Sequence, residues 1–169
     1  MAGAFLEINA NTPEIDAALR QLTAALNDLT PAFRDVGESL LNSTRERFRT
    51  STGPDGQKWA PLKPSTLAAR ARAAGGRIKG GQNKGRYTKR AALAYAGAKP
   101  LIFSGRLFGT LNPRADAHSV RVGTPMIYGA THQFGRGRIP ARPFLGLSQS
   151  DAADVVAILN DHLARALAR

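Results

Sequence analysis

Residues that could carry chemistry are few in this chain and lie far apart. The sequence has three histidines and no cysteine, and no HExxH motif occurs. Histidine and cysteine at close spacing typically hold zinc, and a histidine close to a serine or a thiol can activate it as a nucleophile. Because His118, His132 and His162 are scattered, we predict no metal, no cofactor and no catalytic residue.

One serine has a partial likeness to a hydrolase nucleophile. Residues 146–150 read GLSQS, which lacks the final glycine of the GxSxG elbow and has no clear strand before it. Ser148 instead stands three residues before Asp151, at the spacing of a helix capping box. A phosphate-binding GxxxxGK[ST] loop is absent, and the middle of the chain lacks the clustered carboxylates of a metal nuclease. The sequence therefore favours a protein that is not an enzyme.

The positive charge is concentrated in one block. The formal net charge is +12, and thirteen Lys and Arg residues with no Asp or Glu lie between Asp55 and Asp116. Such a block attracts nucleic acid or an acidic protein surface, although a solubilising loop is the alternative. Its glycine-rich part, residues 75–92, predicts a mobile basic arm or a long hairpin tip. The arm residues expected to meet DNA or an acidic partner are Arg77, Lys79, Lys84, Arg86, Lys89 and Arg90.

The densest segment is residues 127–147, IYGATHQFGRGRIPARPFLGL. Glycine and proline break it too often for a long helix, and it is too apolar for a disordered linker. We expect a short strand or turn ending at Phe134, a basic loop, and an extended stretch before the last helix. We interpret His132 as a hydrogen-bonded residue that fixes the strand end. The aromatic residues are expected to be core or interface anchors, with base stacking beside the arginines as the alternative.

Three helices must position this segment. Thr12-Pro13-Glu14 and Thr30-Pro31 are helix starts, each followed by an apolar stripe of helical period. The second stripe is Phe33, Val36, Leu40, Thr44 and Phe48, with Leu41 beside it and Arg45, Glu46, Arg47 and Arg49 on the polar side. A last helix follows Ser148, and a short helix is predicted from Ser65 to about Ala74.

The β structure is predicted to be small. Val120 and Val122 alternate in a strand that we pair with the residues after Pro125, which gives a hairpin over 118–134. Residues 4–10 could add a short strand, and Trp59 follows a turn as a core or edge anchor. The predicted fold class is α+β in one domain over residues 1–169: a small antiparallel sheet packed with two N-terminal helices and a C-terminal helix, plus the long basic arm.

Several motifs occur together in a fixed order. They are Asp55-Gly56 with Trp59 and Pro61-Leu62 before Thr66, then Leu101 with Ser104-Gly105 and Leu107, then Tyr128, HQFG at 132–135 and IPARPFLGLS at 139–148. This pattern resembles the phage virion morphogenesis family, which includes tail-completion proteins of Mu-like and related tailed phages. The resemblance covers roughly residues 30–165.

The resemblance implies a structural protein at the head–tail junction of a phage, a tail-completion or tail-terminator type of ring. It further implies a homo-oligomer, often of six copies around the DNA channel, that contacts the neck or connector and the tail tube. The residues expected at a subunit or partner interface are Trp59, Tyr128, His132, Gln133, Phe134, Ile139, Pro140, Arg142, Pro143 and Phe144. The alternatives are a non-specific phage DNA-binding protein and an assembly factor absent from the finished particle.

The same resemblance implies a location in the tail or neck of the virion after assembly in the host bacterial cytoplasm. The sequence contains no apolar run of about 20 residues, so we expect no membrane span. The first ten residues have neither a basic start nor a long apolar centre, so no secretory signal is expected.

Overall fold

The computed structural model describes residues 26–168 together with positions 17, 20 and 23. The predicted strand over residues 4–10 and the start of the predicted first helix lie outside the described residues. In chain order the elements from residue 30 onward are α1 (Thr30–Thr50), α2 (Pro64–Ala73), α3 (Lys89–Ala96), α4 (Arg106–Gly109), β1 (Asn112–Ala115), β2 (Val120–Gly123), α5 (Tyr128–Phe134) and α6 (Gln149–Leu167).

Helix α1 begins where the sequence predicts, with a proline in its first turn. It buries Val36, Leu41, Thr44 and Phe48 along the predicted stripe. Arg47, which we expected on the polar side, is also buried. The prediction was wrong there because the guanidinium has fixed partners inside the protein, described below, that no local pattern reveals.

The core is built around the ring of Phe48. This ring is fully buried and makes edge contacts with Trp59, Phe108 and Phe144 at centroid distances of 5.5, 5.7 and 5.5 Å. Leu107 from α4 belongs to the same buried cluster. Tilted aromatic pairs at this separation add stabilisation beyond the area they bury. The core therefore joins α1 to three distant segments of the chain.

The sheet differs from the predicted hairpin. Strand β2 pairs antiparallel with the preceding strand β1, in the register Pro113↔Val122, and residues 128–134 form helix α5 instead of a strand. Asp116 accepts hydrogen bonds from the backbone N–H groups of His118 and Ser119, which turns the chain between the two strands. The predicted strand after Pro125 was therefore wrong, whereas the α+β class with a small antiparallel sheet is confirmed.

The basic segment contains more regular structure than we expected. Residues 89–92, predicted as part of the arm, form the first turn of α3, whose N-cap Thr88 accepts a hydrogen bond from the Ala91 N–H. The short helix predicted from Ser65 to about Ala74 is present as α2, but it begins at Pro64, and Ser65 does not cap it. Before α3, Ile78 and Arg86 are hydrogen-bonded as in a hairpin. The mobility of this tip stays a prediction.

Helix α6 begins at the predicted capping box. The Ser148 hydroxyl accepts from the Asp151 N–H at 3.1 Å, and the Asp151 carboxylate accepts from the Ser148 N–H at 2.7 Å. The helix packs along α1. Asp151 also forms a buried ion pair with Arg47, whose guanidinium donates to the carbonyls of Phe144 and Gly146 as well. One side chain thus ties the end of α1 to the start of α6.

Candidate interaction site

Residues 142–145, the clamped segment, run between two parts of the structure that hold them from opposite sides. On one side, the indole N–H of Trp59 donates to the Pro143 carbonyl at 2.8 Å. Arg142 donates from Nε to the Ala60 carbonyl at 2.8 Å and from Nη2 to the Pro61 carbonyl at 3.0 Å. The Trp59 to Pro61 stretch therefore fixes the segment through three side-chain to backbone bonds.

On the other side, the end of α5 completes the clamp. The His132 carbonyl accepts from the Arg142 N–H at 2.7 Å. The Gln133 side chain accepts from the Phe144 and Leu145 N–H groups, both at 3.0 Å, and donates to the Leu145 carbonyl at 2.8 Å. A side-chain amide here takes the place of a neighbouring strand, which satisfies backbone groups that an extended segment would otherwise leave unpaired.

Steric constraints explain why the HQFG motif ends in glycine. Gly135 adopts φ +76°, a conformation that side-chain-bearing residues rarely adopt. A Cβ at this position would stand 2.8 Å from the Ala141 nitrogen and 3.1 Å from the Ile139 carbonyl oxygen, both backbone atoms. The loop from 136 to 141 therefore closes directly over this glycine and brings the clamped segment back to α5.

The side chain of His132 does not play the part we predicted for it. Its Nδ1 is buried and has no hydrogen-bond partner among the described residues, and its ring lies edge-on to Tyr128 with centroids 6.0 Å apart. Burial lowers the pKa of His132, and the charge of Arg142 lowers it further. The histidine therefore fixes the clamped segment through its backbone carbonyl.

The structure divides the predicted interface residues into two groups. Trp59, Arg142 and Phe144 are buried within this chain, and Phe144 is only 1% exposed. His132 and Gln133 are half-buried, whereas the exposed residues are Tyr128, Phe134, Ile139, Pro140 and Pro143. The buried residues build the core and the clamp, which in turn hold the exposed residues in place.

An apolar cleft lies beside the clamp. It has a volume of about 480 Å³ and is lined by Pro125, Met126, Ile127, Ala130, Phe134 and Leu145, among others. At its rim Ile127 is 95% exposed and Phe134 is 79% exposed. The sequence analysis did not include Ile127 among the interface residues, because it placed this residue in a predicted strand and not before a helix. Large apolar side chains in water next to a cleft are typical of a binding surface.

The predicted basic arm residues are all exposed. Arg77, Lys79, Lys84, Arg86, Lys89 and Arg90 lie on the surface, and none of them forms an ion pair within the described part of the chain. The guanidinium of Arg77 lies over the Tyr87 ring, 4.6 Å from its centroid, and Tyr87 stacks on Tyr95. The base of the arm is thereby ordered, and its charges face solvent.

The other residues considered for chemistry lie apart. His162 contacts Asp35 at 2.7 Å, His118 is exposed in the β1–β2 turn, and Ser148 caps α6. Among the described residues no group of three potential metal ligands comes together. No described helix is long and apolar enough to cross a membrane.

The clamp brings together several of the motifs that carry the family resemblance, namely the Trp59 motif, HQFG and IPARPFLGLS. The sequence profile of the phage virion morphogenesis family matches residues 10–164, which is most of the chain. The chain belongs to the phage virion morphogenesis family. Its role is accordingly structural or morphogenetic in a phage virion, and it is a virion-associated or phage-assembly protein.

Two proteins of Haemophilus influenzae are similar to this family member. Mu-like prophage FluMu G protein 1 is 30% identical over 129 residues, which cover 76% of this chain and 75% of that protein. Mu-like prophage FluMu G protein 2 is 39% identical over 70 residues, which cover 37% of this chain and about half, 51%, of that protein. No solved structure gives a significant match.

Proposed function

We propose that this protein forms a ring at the phage head–tail junction that completes or caps the tail and lets DNA pass. Six copies surround the channel, in contact with the connector on one side and the tail tube on the other. The observation that carries the proposal is the apolar cleft with its exposed rim at Ile127 and Phe134. In this proposal the chain is a structural part of the particle and not an enzyme.

The cleft supports an oligomer because a lone copy leaves its rim in water. Each of these side chains gains roughly 1.5–3 kcal/mol when it is fully buried. The rim belongs to the loop before α5 and to the end of that helix, so the clamp holds it in a fixed geometry before any partner arrives. A fixed patch that meets a different patch on the next copy generates a closed ring.

Electron microscopy of lysates made with this gene disabled tests the proposal. We expect full heads lying apart from finished tails of normal length, which would support a joining role. Overlong tails would support the terminator form of the proposal, in which the ring stops growth of the tube. Normal joined particles would contradict any role at the junction.

A second candidate function is non-specific DNA binding by the basic arm, favoured by its six exposed cations, none of which forms an ion pair with another described residue. If these cations contact phosphates, the logarithm of the binding constant should fall with the logarithm of salt concentration at a slope of about −0.9 per contact, or roughly −5 in total. Replacing Arg77, Lys79, Lys84 and Arg86 by Gln should make that slope shallower by about 3 to 4.

The measurement is fluorescence anisotropy of a labelled random-sequence duplex at several salt concentrations. Glutamine replacement of Arg45, Arg49, Arg114 and Arg121, which are outside the arm, is the matched control for net charge. Equal slopes for the arm variant and the control would contradict DNA binding by the arm.

A further inference from the structure

A second cavity, on the other side of α5 from the apolar cleft, carries strong positive charge. It measures about 650 Å³ and is bordered by the start of α2, the loop before α4, and the residues 138–142. Five of its lining residues are cationic, and none is acidic: Lys63, Arg70, Arg106, Arg138 and Arg142. We call it the basic cavity.

Among the described residues, two of these cations have only neutral hydrogen-bond partners. Arg142 is 6% exposed and donates to the carbonyls of Ala60 and Pro61. Arg70 donates to the carbonyls of Lys99 and Ile102 at 2.9 and 2.8 Å. Burial lowers the pKa of both side chains, and the charge of Arg142 lowers the pKa of Arg70 further.

Arg47 has a buried counter-charge that the cations of the basic cavity lack among the described residues. Arg47 is equally buried, and its charge is balanced by the carboxylate of Asp151. Buried charges in proteins are normally paired, because the desolvation of a lone charge is costly. The Nδ1 atom of His132, a residue that lines the same cavity, also has no hydrogen-bond partner among the described residues. An incoming carboxylate would supply the missing charge.

The walls indicate that the incoming carboxylate is carried by an apolar chain. Phe103 is 70% exposed at the cavity, and Tyr128 and Ile139 are exposed there as well. A concave site with aromatic and aliphatic walls suits a peptide segment, whereas the backbone of duplex DNA suits an open basic surface such as the arm. The matching ligand is an extended segment that carries a carboxylate among apolar side chains.

The chain itself contains such a segment. Residues 1–16 read MAGAFLEINANTPEID and include Glu7, Glu14 and Asp16, with no Lys or Arg before Arg20. The residues around Glu7 are apolar, and residues 4–10 are predicted to be extended. The opening segment therefore complements the basic cavity in both charge and hydrophobicity.

The residues just before α1 lie at a different cavity. Leu29 donates its N–H to the Ala117 carbonyl, and Asp28 and Leu29 border a different cavity together with His162. None of these residues lines the basic cavity. An opening segment that fills the basic cavity is thus best supplied by a second copy of the chain.

We propose that the basic cavity binds residues 4–10 of a neighbouring copy, with Glu7 facing its cations. This inference rests on the proposed ring and deepens it, because each copy would insert its opening segment into the basic cavity of the next copy. Such a contact joins two different surfaces, which is the arrangement that closes a ring.

Disulfide trapping in the full-length chain tests the proposal, and the absence of native cysteine leaves no background thiol. The test variant carries Ile8→Cys and Ile139→Cys, which place one thiol in the segment and one at the cavity rim. After mild oxidation, non-reducing electrophoresis should show a ladder of covalently joined copies, and peptide mass spectrometry should identify the 8–139 link. The two single-cysteine variants measure links between identical positions.

The matched control pairs Ile8→Cys with Gln57→Cys, an exposed position outside the cavity. A ladder no stronger than this control, or a link confined to one chain, would overturn the inference. Adding Glu7→Lys to the test variant should lower the linked fraction by a factor of up to about five, the upper end of what an exposed ion pair contributes. Adding Arg138→Glu to that variant should restore the linked fraction. Absence of either charge effect would contradict the role of Glu7.

Light scattering of the unmodified chain separates this inference from the proposed function. A monomer at the concentrations of the trapping experiment would contradict the ring itself. An oligomer that shows no 8–139 link would leave the ring in place and remove only the basic cavity from its contacts.

Discussion

At the scale of single residues, Gln133 is the side chain on which the clamp depends most directly. It is half-buried and makes three hydrogen bonds to the backbone of Phe144 and Leu145. The sequence analysis placed this glutamine in an interface, and the structure shows how its amide pairs with an extended segment of the same chain. The clamp thereby fixes Phe144 in the core.

We predict that Gln133→Met destabilises the fold by about 2–4 kcal/mol. A methionine of similar length leaves two N–H groups and one carbonyl without partners. An unsatisfied buried group costs about 1–3 kcal/mol, and these three groups cost less than the full sum because they are only partly buried. Urea unfolding followed by Trp59 fluorescence measures the change. Gln82→Met, in the exposed arm, is the matched control and should change stability by less than about 0.5 kcal/mol; equal effects of the two substitutions would contradict the clamp.

At the scale of elements, the joint between α1 and α6 depends on the pair Arg47 and Asp151. Burial alone would raise the pKa of Asp151, but hydrogen bonds from Ser43 and Ser148 and the charge of Arg47 hold that pKa below its ordinary value of 3.8. A carboxylate whose pKa is lowered by folding stabilises the folded state above the ordinary pKa. That stabilisation is lost as the pH falls through the lowered pKa.

We predict that Asp151→Asn costs about 3–5 kcal/mol at pH 7, because it leaves Arg47 buried without a counter-charge. The difference from the unmodified chain should persist down to pH 5 and begin to narrow below about pH 3.8, where the carboxylate of the unfolded chain becomes protonated while the native one is still ionised. Denaturant unfolding at several pH values measures this. Asp161→Asn, at an exposed pair with Arg165, is the control and should be nearly neutral.

At the scale of the whole molecule, the surface carries two kinds of patch that a single copy leaves uncovered. The apolar cleft exposes Ile127 and Phe134, and the basic cavity and arm expose the charge of the middle of the chain. The two flanking parts of the sequence are less basic, since all twelve acidic residues lie at or before Asp55 or at or after Asp116. Copies arranged head to tail would bring unlike patches together.

We predict that Phe134→Asp lowers the mass of the oligomer in light scattering without unfolding the chain, because this ring is exposed and outside the core. Leu93→Asp on α3 is the matched control, since Leu93 is 75% exposed and lies away from the apolar cleft. The control should keep the mass of the unmodified protein. A Phe134 variant that keeps the full mass would remove the cleft from the subunit contact.

The Phe144 ring is unsuitable for the same experiment, although the sequence analysis included it in the interface set. It is packed against Phe48 in the core, so a charge there would test folding and not assembly. From the sequence alone, Phe134 and Phe144 are equally good candidates for the interface, because both lie in the same motif-rich segment.

Helices α1 and α6, the presence of a small antiparallel sheet and the family could all be predicted from the sequence. Helix starts at Thr30-Pro31 and Ser148 and the apolar stripe of α1 are encoded by residues within one or two turns of each other. The partner of β2, the burial of Arg47, and the exposure of individual aromatic residues in the 127–147 segment could be seen only in the folded structure. Those features depend on contacts such as Arg47 with Phe144, 97 residues apart, and Trp59 with Pro143, 84 residues apart. Local sequence patterns carry no information on such partners. The free energy of burying a side chain depends on which distant residues the fold places next to it.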